Sequence, residues 1–203
     1  MNKEKITSFF TAKNVAVLGV LISLVIVLQL FASAIPMFGV TLNFSLIPIA
    51  LGAILLGWAG GAIVGFVCGL VVFITMAVLG QEPSTAYLFQ TNPAILTVMC
   101  IGKTTLAGFI SGLIFKFFPK KNLFVAVCVA TLIIPIINSG TYLTGIVLMK
   151  ESASSFMGLP SSSAGLVFKV VFGIIWLNFV LEIVINIIFA PAIFRAIKVI
   201  NKN

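Results

Sequence analysis

Residues 89–118, FQTNPAILTVMCIGKTTLAGFISGLIFKFF, decide the fold class. From Pro93 onward the run stays apolar past the ~20 residues that a helix rising about 1.5 Å per residue needs to cross a hydrocarbon core. A polar cluster of Gln90, Thr91 and Asn92 precedes it, and Lys116, Lys120 and Lys121 close it. Those closing lysines mark a cytoplasmic end, because basic residues beside short loops resist translocation. Lys103 sits near the middle of the run. A lysine at the centre of a membrane helix costs about 2.5–3.5 kcal/mol on insertion scales, so it requires a carboxylate, carbonyls, water or a ligand.

The same pattern recurs through the chain. Of 203 residues, 61% are hydrophobic and 8% charged, with mean hydropathy +1.29, more apolar surface than a water-soluble globule hides. The first apolar stretch is followed by others and by no small-residue cleavage pattern, so it reads as a span rather than a secretory leader. The stretches have helical length, unlike the short alternating strands of a barrel. The expected fold is an all-α integral membrane protein: one membrane domain over residues 1–203 with six transmembrane helices near 14–34, 42–57, 59–78, 93–117, 123–148 and 164–194. Basic residues at the head (Lys3, Lys5, Lys13), after the fourth span and at the tail (Arg195, Lys198, Lys202) place both termini in the cytoplasm.

Within that frame, the second span is shorter than usual and Pro48 leaves a carbonyl unpaired inside it, which suits a segment that is tilted, kinked or shielded by neighbours. Gly61, Gly65 and Gly69 form two successive GxxxG steps, so the third span packs closely on a neighbour. Ala16, Gly19 and Ser23 make a second strip of small residues, on the first span. The connections at 80–92 and 150–165 face outward and are long enough to fold over a site.

Composition also excludes function classes. The net charge of +8 is scattered, without the aromatic and basic interleaving of a nucleic-acid surface. With no histidine, no aspartate and three cysteines (Cys68, Cys100, Cys128) inside apolar runs, a transition-metal centre is not expected, and the cysteines read as small buried hydrophobes. No nucleotide loop or histidine relay is present, so neither catalysis nor ATP hydrolysis is expected of this chain.

The intramembrane polar groups allow two readings. Lys103 either pairs with Glu182, its nearest internal carboxylate by composition, or meets a ligand. Lys169 either snorkels to the outer interface or joins a pocket. Asn43 and Ser45, at the outer end of the second span, either line a cavity or cap the helix. Taken together, Lys103 and Lys169 with Asn43, Asn92, Asn138 and Tyr142 suit an outward-facing pocket for a small polar anion.

Three stretches carry a family resemblance: NVAVLGVLISLVIVLQL, LNFSLIPIALGAILLGWAGGAIVGFVCGL and NPAILTVMCIGKTTLAGFISGLIFK. With six spans in about 200 residues and a basic head, the chain resembles the substrate-binding S components of energy-coupling factor (ECF) vitamin transporters, most of all the pantothenate type. The resemblance implies vitamin capture from outside and partnership with a transmembrane coupling protein and two cytoplasmic ABC-type ATPases. ATP and magnesium belong to those ATPases, and no cofactor to this chain. It also implies that the small-residue face of the first helix contacts the coupling protein. Ala16, Gly19 and Ser23 inherit that role, with glycine and serine standing in for the family's alanines. Pantothenate, with one carboxylate, an amide and hydroxyls, matches the lysines and amides. Riboflavin, folate or a thiamin precursor is the alternative within the class, and a stand-alone secondary transporter or channel the alternative outside it. The two halves show no visible repeat to support the latter.

Overall fold

Proline and glycine punctuate the helices. The computed structural model describes residues 10–34, 44–119, 122–158 and 176–200. Its helices are α1 (Ala12–Ala34), α2 (Leu46–Leu55), α3 (Gly57–Val72), α4 (Pro83–Thr91), α5 (Pro93–Phe117), α6 (Leu123–Leu148), α7 (Lys150–Phe156) and α8 (Trp176–Ile200). Pro83 and Pro93 open α4 and α5, where the missing N–H is no loss. Gly57, at φ 75°, makes the reversal from α2 into α3. Beyond Val72 the helix continues as a π-helical segment, Phe73–Val78, closed by the Leu79 N–H donating to the Ile74 carbonyl.

Among the described residues, five helices are long and apolar enough to cross a membrane: Ala12–Phe31, Gly57–Val78, Pro93–Phe117, Leu123–Leu148 and Trp176–Arg195. The segment expected as a short second span, 42–57, contains the ten-residue α2, which at about 1.5 Å per residue covers roughly half a hydrocarbon core. Leu46, Pro48, Ile49, Ala50, Gly52, Ala53 and Ile54 are all buried in it, so its short backbone is shielded by protein. Pro48 also falls in the first turn of α2, where no intrahelical N–H bond is made. The expected carbonyl gap therefore does not arise. Of the expected sixth span, 164–194, residues 164–175 lie outside the described residues, and α8 is seen from Trp176.

The molecule is organised around α3 against α5. A methyl on Gly61 would come within 3.0 Å of Ala53 and Gly108, one on Gly65 within 3.0 Å of Thr104, and one on Gly69 within 2.7 Å of Cys100 and Ile101. The two GxxxG steps thus bring the α3 backbone directly onto the Cys100, Thr104 and Gly108 stripe of α5. There the Thr104 hydroxyl donates to the Gly65 carbonyl at 2.7 Å. On its other flank α5 meets α6 in antiparallel register. Met99 lies over Gly145, Lys103 over Tyr142, and Ser111 Oγ donates to the Ala130 carbonyl at 2.7 Å. α8 packs on α6 and α2, with Phe194 edge-on to Phe124.

One end of the bundle carries a cap. The connection expected at 80–92 holds α4, and the one beginning at 150 opens with α7. The two cap helices touch each other through Tyr87 and Phe156, whose ring centroids are 5.5 Å apart, and α4 rests on the π-helical segment through Phe89 and Phe73. Below them a cluster of Ala77, Leu88, Leu96, Met99, Cys100, Ile146, Met149 and Ala153 seals the capped end, with Tyr142 packed against it. Outward faces remain apolar: Val20, Phe31, Val98 and Ile188 are exposed, as expected of a multi-pass protein whose surroundings are lipid.

Candidate substrate-binding site

Lys103 occupies the middle of α5, ten residues in from Pro93, which at 1.5 Å per residue is about 15 Å below the capped end. Its azimuth follows from its neighbours. Thr104 points at α3, and Lys103, one turn on from Met99, points at α6. Its Nζ lies 5.1 Å from the centroid of the Tyr142 ring. A cation over an aromatic face is attracted by the ring quadrupole by roughly 0.5–2 kcal/mol, which offsets part of the cost of holding the lysine at that depth. Among the described residues Lys103 forms no ion pair, with Glu182 or any other carboxylate. The physical reason is lateral. Lys103 faces α6 from α5, whereas Glu182 is carried by α8, which packs on α6 and α2.

Asn138 lies one turn from Tyr142 on α6, away from the cap. It is 4% exposed, and its Oδ1 has no hydrogen-bond partner among the described residues. Lys103, Tyr142 and Asn138 are therefore brought together along the α5–α6 seam. Asn92 is placed elsewhere, about 16 Å along α5 from Lys103. Its Nδ2 donates to Ser152 Oγ at 2.6 Å and to Thr91 Oγ1 at 3.1 Å, so it joins the two cap helices. Glu82, preceding α4, accepts from the hydroxyls of Ser84 and Thr85 and fixes the entry of the cap. Asn43 and Lys169 lie outside the described residues.

Some polar groups were not singled out as site residues by sequence reasoning. Ser45 makes no helix-cap hydrogen bond with its side chain. Its hydroxyl donates to Gln29 Oε1 at 3.0 Å and sits 3.2 Å from Cys68 Sγ, tying α1, α2 and α3 together in the interior. On α8, Asn178, Glu182 and Asn186 stand at four-residue spacing. Asn178 Nδ2 donates to Glu182 Oε1 at 3.4 Å, and Asn186 Nδ2 donates to the Glu182 carbonyl at 2.8 Å. Gln29 and Asn186 share one available signal, a lone amide inside an apolar run.

Ala16, Gly19 and Ser23 lie on the exposed side of α1, opposite the buried Leu21, Val25 and Gln29. A methyl added to Gly19 meets nothing within 4 Å, and the Ser23 hydroxyl is turned back onto the Gly19 carbonyl at 2.9 Å. The strip is accordingly smooth and unoccupied by the rest of the described chain.

The family model described as "ECF transporter, substrate-specific component" matches residues 13–194. The pantothenic acid transporter PanT of Lactococcus lactis subsp. cremoris (strain MG1363) is 35% identical over 83 residues, covering 39% of this chain and 41% of that protein. The match thus spans about two fifths of the curated relative's length. No solved structure matches the chain significantly.

Proposed function

Because the chain belongs to the family of ECF transporter substrate-specific components, and is thus a membrane-embedded substrate-binding transport subunit rather than an enzyme, we propose that it captures pantothenate. One observation carries the reading: the Lys103 ammonium sits in the bundle interior over Tyr142, with no carboxylate paired to it among the described residues. A ligand carboxylate supplies the missing counter-charge, and the apolar surroundings strengthen the attraction. The partial likeness to a pantothenic acid transporter supports the choice among small vitamin carboxylates. Lys169 and Asn43 belong to the same proposed pocket.

In this reading the capped end faces outside and both termini face the cytoplasm of a bacterial cell. α4 and α7 cover the ligand. A transmembrane coupling protein docks on the Ala16, Gly19 and Ser23 strip, and two cytoplasmic ATPases supply ATP hydrolysis. The test is to purify the chain alone, release bound small molecules, identify them by mass spectrometry, and titrate the protein with pantothenate, riboflavin, folate and thiamin precursors. Pantothenate recovery and preferential binding are expected. Recovery of a different vitamin, with no affinity for pantothenate, refutes the assignment.

A further inference from the structure

Every buried side-chain polar atom left without a hydrogen-bond partner among the described residues is an oxygen. Those of Asn138, Asn178 and Asn186 are amide acceptors inside the bundle, and Ser154 Oγ belongs to the cap. On α8 the amide nitrogens are already committed, Asn178 Nδ2 to the Glu182 carboxylate and Asn186 Nδ2 to its carbonyl. What these three asparagines leave unmet among the described residues is their acceptor oxygens.

Asn138 is the acceptor best placed to read a ligand. It is 4% exposed and one helical turn from Tyr142, on the seam that also holds Lys103. The α5–α6 register, with Lys103 at Tyr142 and Ser111 at Ala130, sets it roughly level with Ala107, which has no polar side chain to offer. A buried acceptor with no donor is costly, and a donor arriving with the ligand removes that cost on binding. We propose that Asn138 is a specificity-determining residue: its Oδ1 accepts a hydrogen bond from a hydroxyl of the substrate, about one helical turn (roughly 5–6 Å) from the carboxylate held at Lys103. The substrate class is therefore a small hydroxylated carboxylate, a refinement that rests on the reading of Lys103 as the carboxylate site. Pantothenate meets it. Its hydroxyls lie beyond the amide, at the end of the molecule away from the carboxylate.

The experiment compares three ligands by calorimetry on the purified chain. They are pantothenate, pantothenol (carboxylate replaced by a primary alcohol) and N-(3,3-dimethylbutanoyl)-β-alanine, which keeps the carboxylate and amide but has neither hydroxyl. The wild-type protein is expected to bind the analogue without hydroxyls at least about tenfold more weakly than pantothenate, because that analogue leaves the acceptor unmet. Asn138→Leu is expected to lose that preference while still favouring pantothenate over pantothenol, which shows the carboxylate site intact. Equal wild-type affinities for pantothenate and the analogue without hydroxyls overturn the inference without recourse to any variant. Full retention of the hydroxyl preference in N138L overturns it while leaving the pantothenate reading in place. Absence of pantothenate binding to the wild type overturns both.

Discussion

Replacing Gly65 with alanine adds a single methyl at one of the tightest parts of the α3–α5 contact. That methyl would lie 2.8 Å from the Thr104 carbonyl carbon and nearer still to its oxygen. Ordinary contact begins at 3.4 Å, so the two helices must part by at least 3.4 minus 2.8, or 0.6 Å. The Thr104 hydroxyl, now 2.7 Å from the Gly65 carbonyl, is drawn out with them. Overpacking a close contact costs about 1–3 kcal/mol and an interhelical hydrogen bond in a membrane is worth about 0.6 kcal/mol, so the expected loss is on the order of 2–3 kcal/mol. At about 2–4 °C per kcal/mol for a chain this long, the midpoint should fall by roughly 4–12 °C. The assay is thermal melting of the detergent-purified protein, followed by size-exclusion chromatography. Gly19→Ala is the control, because a methyl there meets nothing within 4 Å and alanine favours helix over glycine by about 1 kcal/mol. Since Lys103 adjoins Thr104, ligand affinity should fall in the Gly65 variant and hold in the Gly19 variant. A Gly65→Ala protein that melts with the wild type refutes the claim that this backbone contact organises the bundle.

Lys103→Met should weaken binding of the carboxylate ligand at least about tenfold, the scale of a lost charge-assisted hydrogen bond. The same change should leave the melting temperature unchanged or raise it, since a half-buried cation at membrane depth is removed; unaltered affinity in titration counts against the pocket. Gly19→Leu or Ser23→Leu should leave ligand binding to the isolated chain intact while reducing both recovery of the assembled transporter and uptake in vesicles. Equal recovery and uptake would sink the proposed docking strip. Ser152→Ala removes the acceptor of the 2.6 Å bond from Asn92 and should speed ligand release about 2- to 10-fold, measured by dilution with fluorescence detection. An unchanged release rate would show that joining α4 to α7 does not hold the cap over the site.

How much of the fold was legible depended on the period of the signal. The glycine stripe of α3 was readable because Gly61, Gly65 and Gly69 repeat every four residues, and the structure packs that face as tightly as the pattern implies. Its partner surface was harder to see, since Cys100, Thr104 and Gly108 share a spacing but not a residue type, and smallness is what matters to the approaching backbone. The shortness of the 42–57 segment was legible, but the bounds of α2 were not, because apolarity alone does not set where a shielded half-length helix begins and ends. The cap helices were read as loop for a different reason. At nine and seven residues, α4 and α7 are too short to be stable alone. The Phe73–Phe89 and Tyr87–Phe156 contacts, the Asn92–Ser152 hydrogen bond and the Glu82 carboxylate that anchors α4 hold them, and local composition encodes none of these.

For the site, depth was legible and direction was not. Counting residues from the helix ends puts Lys103 and Glu182 at comparable depths, which made their pairing a natural expectation. Pairing also requires the two side chains to face each other, and a rotation of about 100° per residue means that a neighbouring position can face a different helix. Here Thr104 takes the direction of α3, because only a small residue fits against Gly65, and this forces Lys103 round towards α6. Met99, filling the space over Gly145, fixes the same rotation one turn nearer the cap. The aromatic face of Tyr142 then takes the place a carboxylate would have had, attracting the ammonium without neutralising it. The close glycine packing that stabilises the bundle and the placement of the Lys103 ammonium over Tyr142, away from any carboxylate of the described residues, are thus consequences of one rotational setting of α5. Loosening the first should degrade the second, and this is why the Gly65 variant must be read in both melting and binding.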